Sequence, residues 1–173
     1  MGKKVITFDL SVRGINRAIK ELEEYKQELL RKTDLLKNRI AEELRKEAEK
    51  GFSNAIVDDL VRGGGRPANV SVSIDSRESI TVVIAKGEDA IWCEFGAGVY
   101  HNGSAGSSPH PKGSELGFVI GGYGKGKGKQ NAWAFYENGE LKVTRGTPAV
   151  MPMYNAVKLV SERVVQIAKE VFA

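Results

Sequence analysis

The chain has 173 residues, with 26 Lys and Arg against 22 Asp and Glu, a net charge of +4. That length suits one domain with a sizeable core, and the mild basic excess suits an acidic partner such as nucleic acid without requiring one. A single cysteine excludes an internal disulfide framework and a cysteine-only metal site.

Residues 1–9 hold no apolar run of signal-peptide length. No stretch approaches the roughly 18 apolar residues of a membrane span. The chain is therefore expected to be made and folded in a cytoplasm, with no membrane partner. Val5 to Leu10 alternates, with Ile6, Phe8 and Leu10 on one side, which predicts a short strand. Ser11 then offers an N-cap. From Val12 to about Gly51, Ile15, Ile19, Leu22, Leu29, Leu36, Ile40, Leu44 and Ala48 fall three, four or seven apart. They define one helical stripe among dense mixed charge. Thr33-Asp34 could cap a second helix, but the stripe passes it without a phase shift, so one long helix is expected. Its seam is short for a coiled coil and is expected to lie on a sheet. Gly51 should end or bend the helix, with Phe52 to Leu60 adding a further turn.

Gly63-Gly64-Gly65-Arg66-Pro67 reads as a loop. Val70, Val72 and Ile74 alternate with serines, and Ile80, Val82 and Ile84 alternate with Thr81 and Val83. That pattern predicts a β-hairpin with one buried face. Glu88 to Phe95 reads as a turn or two of helix, ended by Gly96-Ala97-Gly98. Residues 99–130 are rich in Gly, Ser and Lys and form a long loop, expected to be flexible, functional or both. Asn138-Gly139 predicts a second hairpin, between Asn131–Tyr136 and Leu141–Thr144. Met151 to Phe172 returns to helical spacing through Met153, Ala156, Val157, Val160, Val164, Ile167, Ala168 and Val171. The fold class expected is α+β, one domain over residues 1–173. A long N-terminal helix and a C-terminal helix would pack on a small, mainly antiparallel sheet built from the two hairpins.

Few residues suggest chemistry. Gly121 to Gly128 comes within one residue of a phosphate-binding loop, but Gly128 stands where Ser or Thr must hold magnesium, and a strand follows instead of a helix. His101 and His110, nine apart, match no standard zinc spacing, and Cys93 beside Glu94 reads as a small core residue. Ser104, Ser107 and Ser108 lack the nucleophile elbow. No cofactor or metal is expected, and no enzyme. A small hydrolase built on His101 or His110 is the weakest reading. Lys125, Lys127 and Lys129 alternate with glycine, which gives a cationic arm able to touch phosphates without reading sequence. A small nucleic-acid-binding module is therefore the alternative function.

Two segments carry a resemblance. Trp92, Glu94, Phe95, Gly96 and Gly98 match a Y-x-E-x-G-T-G-like signature, with Ala97 in place of Thr. Gly146, Ala149, Pro152, Met153 and Ala156 are similar to a G-x-x-A-x-P-F-M-x-x-A signature that opens a C-terminal helix, with the proline shifted by one place and Met153 following it in place of the aromatic. Together they resemble the phage tail-component family, the neck and tail-completion proteins that join heads to tails in long-tailed bacteriophages. The resemblance implies a structural virion protein in a homo-oligomeric ring of six or twelve copies at the head–tail junction or upper tail. Its implied partners are a head-closure or connector protein and a tail terminator or tail tube protein, and in such a ring Lys125, Lys127 and Lys129 would either meet passing phage DNA transiently or pair with acids of the next subunit. Assembly in the host bacterial cytoplasm and a final place in the virion follow from the same resemblance.

The residues give their own account of the first segment. Ile91 and Phe95, four apart, should share a buried face. The glycines at 96 and 98 let the chain reverse. Glu94 should point away from that face, either to cap a neighbouring helix or to pair with Arg145. The segment is expected to be a structural plug.

Overall fold

The computed structural model describes residues 5–59, 63–77, 80–97, 108–118 and 132–173. Its elements are α1 (Val12–Ser53), β1 (Ile56–Asp59), β2 (Gly64–Pro67), β3 (Ser71–Ser76), β4 (Thr81–Lys86), α2 (Ala90–Phe95), β5 (Trp133–Glu137), β6 (Glu140–Thr144) and α3 (Pro152–Phe172). The α+β class and the two terminal helices are as expected. Among the described residues the strands form three two-stranded antiparallel ladders, β1–β2, β3–β4 and β5–β6, where one sheet of two hairpins was expected.

The Val5–Leu10 strand does not form. Alternation needs a partner ladder, and among the described residues none pairs with this segment. Its polar groups serve the helix start instead. Ser11 accepts from the Gly14 N–H at 3.0 Å, and Asp9 in turn accepts from the Ser11 N–H at 2.9 Å. Helix α1 then runs unbroken for 42 residues. Thr33 does not cap a second helix, because its hydroxyl donates back to the Leu29 carbonyl at 2.8 Å.

Gly51 does not end α1 either. A Cβ there would lie 2.8 Å from the Cβ of Pro152, so its bare backbone admits the start of α3. The two helices run antiparallel. Arg163 reaches Glu43 at 3.0 Å, Arg39 reaches Glu170 at 2.8 Å, and Lys32 reaches the last carbonyl, that of Ala173, at 3.3 Å. Ala41 and Ala48 on α1 and Ala156 and Val160 on α3 are all buried, and Ala48 and Ala156 share the core.

The stretch expected to extend α1 becomes β1, and the expected glycine loop becomes its partner β2, with Ile56 opposite Pro67 and Asp59 opposite Gly64. Ala55 and Val57 are buried, which fixes this strand in the core. The β3–β4 hairpin forms, but its second strand faces the other way from the simple reading. Val72 lies opposite Ala85, and Ile74 opposite Val83. Facing residues share a side, so Val83 and Ala85 pack on the core while Ile80 is 61% exposed. Asn138 and Gly139 take the left-handed turn expected between β5 and β6. The core gathers Ala48 and Phe52 of α1, Ala55, Val57, Val72, Cys93 of α2 and Ala156 of α3.

Among the described residues, no helix is long and apolar enough to cross a membrane.

Candidate functional site

The two segments that carry the resemblance meet in space. Helix α2 ends where Gly96, at φ 78°, donates to the Trp92 carbonyl. A helix end leaves carbonyls without partners, and a helix start leaves N–H groups without partners. Here each end supplies what the other lacks. The Cys93 carbonyl accepts from Val150 N–H at 2.9 Å and Met151 N–H at 3.1 Å. One step further, Ala97 and Thr147 exchange two backbone hydrogen bonds, at 2.8 and 3.0 Å.

Glu94 completes the clasp. Met151, the residue before α3, sits in a left-handed conformation and its side chain caps nothing. Pro152 takes the first helical position, where a missing N–H costs nothing. The next two N–H groups, of Met153 and Tyr154, both donate to the Glu94 carboxylate, at 2.8 and 2.9 Å. Glu94 is 8% exposed. It therefore acts as a cap brought in from another helix, with its negative charge at the positive end of the α3 dipole. The first turn of α3 has no acid of its own.

Of the two roles open to Glu94, the cap is realised and the Arg145 pair is not. Arg145 binds Asp58 instead, through its backbone N–H at 2.7 Å and its guanidinium at 2.8 Å. That contact ties the end of β6 to β1. The start of α2 has a similar tie. Asp89 is buried and receives Arg66 at 2.6 and 3.0 Å and the Asn69 N–H at 2.7 Å. Its carboxylate is thus spent on β2 and on the entry to β3, and does not cap α2.

The shared buried face of Ile91 and Phe95 is corrected. Ile91 is 54% exposed, and Phe95 is only half-buried. With six residues in α2, the inward side is set by Cys93 and Glu94. Phe95 is covered instead by residues 108–118. Its ring stacks on Phe118 with centroids 4.3 Å apart and lies 4.5 Å from His110, while Trp92 meets Phe118 edge-on at 6.5 Å.

These residues lie inside the stretch read as one flexible loop, and sequence reasoning missed their role. The Ser108 hydroxyl donates to the Phe95 carbonyl and accepts from the His110 N–H. Ser108 and Phe118 are also joined through the backbone, Ser108 N–H to the Phe118 carbonyl at 2.9 Å. The signal available was Pro109, Pro111, Leu116 and Phe118 in an otherwise Gly-Ser-Lys stretch.

His110 is buried against Glu94, its Nε2 3.3 Å from Oε1. Its Nδ1 accepts the Lys112 N–H at 3.0 Å, which places the ring proton on Nε2, facing the carboxylate. Both nitrogens are committed, and the Ser108 hydroxyl points at a backbone carbonyl. Glu94, His110 and Ser108 are therefore neighbours without the alignment of a nucleophile and its base. Among the described residues, no group of three or more His, Cys, Asp and Glu is placed to hold a metal ion.

Gly146 is buried and donates to the Thr144 hydroxyl at 2.9 Å; Ala149 is half-buried, Pro152 is buried, and Met153 packs against the core. Gly98, His101, Ser104, Ser107, Lys125, Lys127 and Lys129 lie outside the described residues.

Cys93 is fully buried, as a core residue should be. Burial, helped by the charge of Asp89, pushes its thiol from 9.0 up to about 11. The raised value means that the folded state holds the proton more tightly than the unfolded state. That contribution to stability is complete below pH 9.0 and is lost as pH climbs through about 11. At neutral pH, thiol reagents should modify Cys93 only as fast as the protein opens globally. Rapid labelling of the folded chain would place the thiol at the surface.

No protein-family model, curated protein or solved structure matches this chain.

Proposed function

We propose that this chain is a structural subunit of a tailed bacteriophage or phage-like particle. It takes its place in a ring of six or twelve copies at the head–tail junction or upper tail, where it completes the tail and joins it to the head. The observation that supports this reading is the clasp. The two segments that resemble the tail-component signatures lie far apart in the chain, yet Cys93, Glu94 and Ala97 bind the backbone of residues 147–154 directly. Their shared task is to hold α2 against the start of α3, which suits a scaffold.

The partners in this reading are further copies of the chain, a head-closure or connector protein and a tail terminator or tail tube protein. Phage DNA passes through the ring with transient contact. The stretch that would serve a nucleic-acid module, Lys125 to Lys129, lies outside the described residues, and no described site favours that alternative.

Quantitative mass spectrometry of gradient-purified particles tests the reading. The chain should be present in several copies per particle and should remain after high-salt washing. Its absence from purified particles would refute the proposal.

A further inference from the structure

Helix α1 has 42 residues and α3, which packs along it, has 21. α3 covers α1 from Gly51, beside Pro152, down to Lys32, beside Ala173. Residues 12–31 therefore extend beyond it, about 30 Å of helix at ~1.5 Å per residue. That extension carries an apolar ridge. Ile15, Ile19, Leu22 and Leu29 keep the seam spacing and are between 37% and 56% exposed.

Further along the same seam, Leu36, Ile40 and Leu44 floor a trough of about 530 Å³ walled by Val82 of β4 and Val157 of α3. Its polar lining is two threonines and Lys37. A small-molecule site would need convergent polar groups to orient its ligand. An apolar trough with a helix for its floor fits another helix better.

Among the described residues nothing covers this ridge or this trough, which lie on one line of one helix. We propose that both are filled by a second copy of this chain, with two α1 helices antiparallel about a two-fold axis. The spacing fixes the register. Ile15 faces the partner's Ile40, Ile19 the partner's Leu36, Leu22 the partner's Thr33, and Leu29 the stem of the partner's Lys26. Each ridge then enters the other copy's trough, as a two-fold contact requires. The steps of four and three are those of a paired-helix seam. An in-register parallel arrangement would set ridge on ridge and leave both troughs unfilled. A seam of about 50 Å covers on the order of 800 Å² per partner, the size of a stable interface. The pair does not rest on the ring reading. It is the form of the chain away from a particle, and it hides the seam there.

Sedimentation equilibrium of the full chain tests it, at micromolar concentration. The expected mass is twice 18.9 kDa. Ile19→Glu with Leu22→Glu, both on the exposed extension, should halve that mass and leave the helical circular dichroism unchanged. A monomeric parent protein would overturn the proposal. So would a ring of six or more in free solution, which would leave the ring reading standing. For the register, Cys93→Ala with Ile19→Cys and Leu36→Cys should give an interchain disulfide on oxidation. Cross-linking by Cys93→Ala with Ile19→Cys alone would show parallel helices and refute the arrangement.

Discussion

Glu94→Ala is expected to lower the melting temperature by about 6–12 °C, for a loss of about 3 kcal/mol in a domain of this size. The change removes one carboxylate but strands three donors. Met153 and Tyr154 N–H lose their acceptor at the start of α3, and the His110 ring proton loses its partner. A lost cap costs ~1 kcal/mol, and hydrogen bonds to a charged group in a buried setting are worth ~1.5–3 kcal/mol each, with partial repair by water. Glu94→Gln keeps one oxygen acceptor and should cost about half as much. Glu43→Ala provides the control, because its pair with Arg163 is partly exposed and worth under about 1 kcal/mol. The measurement is thermal unfolding of the three variants. Equal melting points for Glu94→Ala and Glu43→Ala would mean that the clasp does not hold α3.

Asp89→Ala should cost about 3 kcal/mol, at the lower end for a broken buried ion pair because Arg66 keeps some access to water. Asp89 is the point where three elements converge. It binds the Arg66 guanidinium from β2, the Asn69 N–H before β3, and it opens α2. Its loss leaves the Asn69 N–H without its acceptor and loosens the hold between β2 and α2. In a double-mutant cycle with Arg66→Ala, the coupling should be about 1–3 kcal/mol, the range for residues in one network. Chemical denaturation gives each term of the cycle. Additive losses would show that the pair is incidental to the fold.

The parts of this fold that were legible from sequence are those where one local pattern decides. The stripe from Ile15 to Ala48 gives α1, the spacing from Met153 to Val171 gives α3, and Asn138-Gly139 gives the β5–β6 turn. The misreadings share a cause: a distant partner decided. β2 is built from two glycines, an arginine and a proline, of which glycine and proline are poor strand formers, and exists because β1 lies beside it. The inward side of β4 follows from its register with β3. Val5 to Leu10 has the right alternation and, among the described residues, no partner strand.

The site divides in the same way. That Glu94 would either cap a helix or meet Arg145 was readable. Which of the two was set by Asp58, which holds Arg145 elsewhere. The packing of Phe95 against His110 and Phe118 bridges two segments separated by residues outside the described set, and no local periodicity announces it.

The proposed role is that of a ring-forming subunit at the head–tail junction or upper tail. Electron microscopy of the native particle tests it most directly. Density for six or twelve copies is expected around the particle axis, between the head and the tail tube, with an open channel for DNA. A lone copy, or a particle whose neck and upper tail contain no density for this chain, would contradict it.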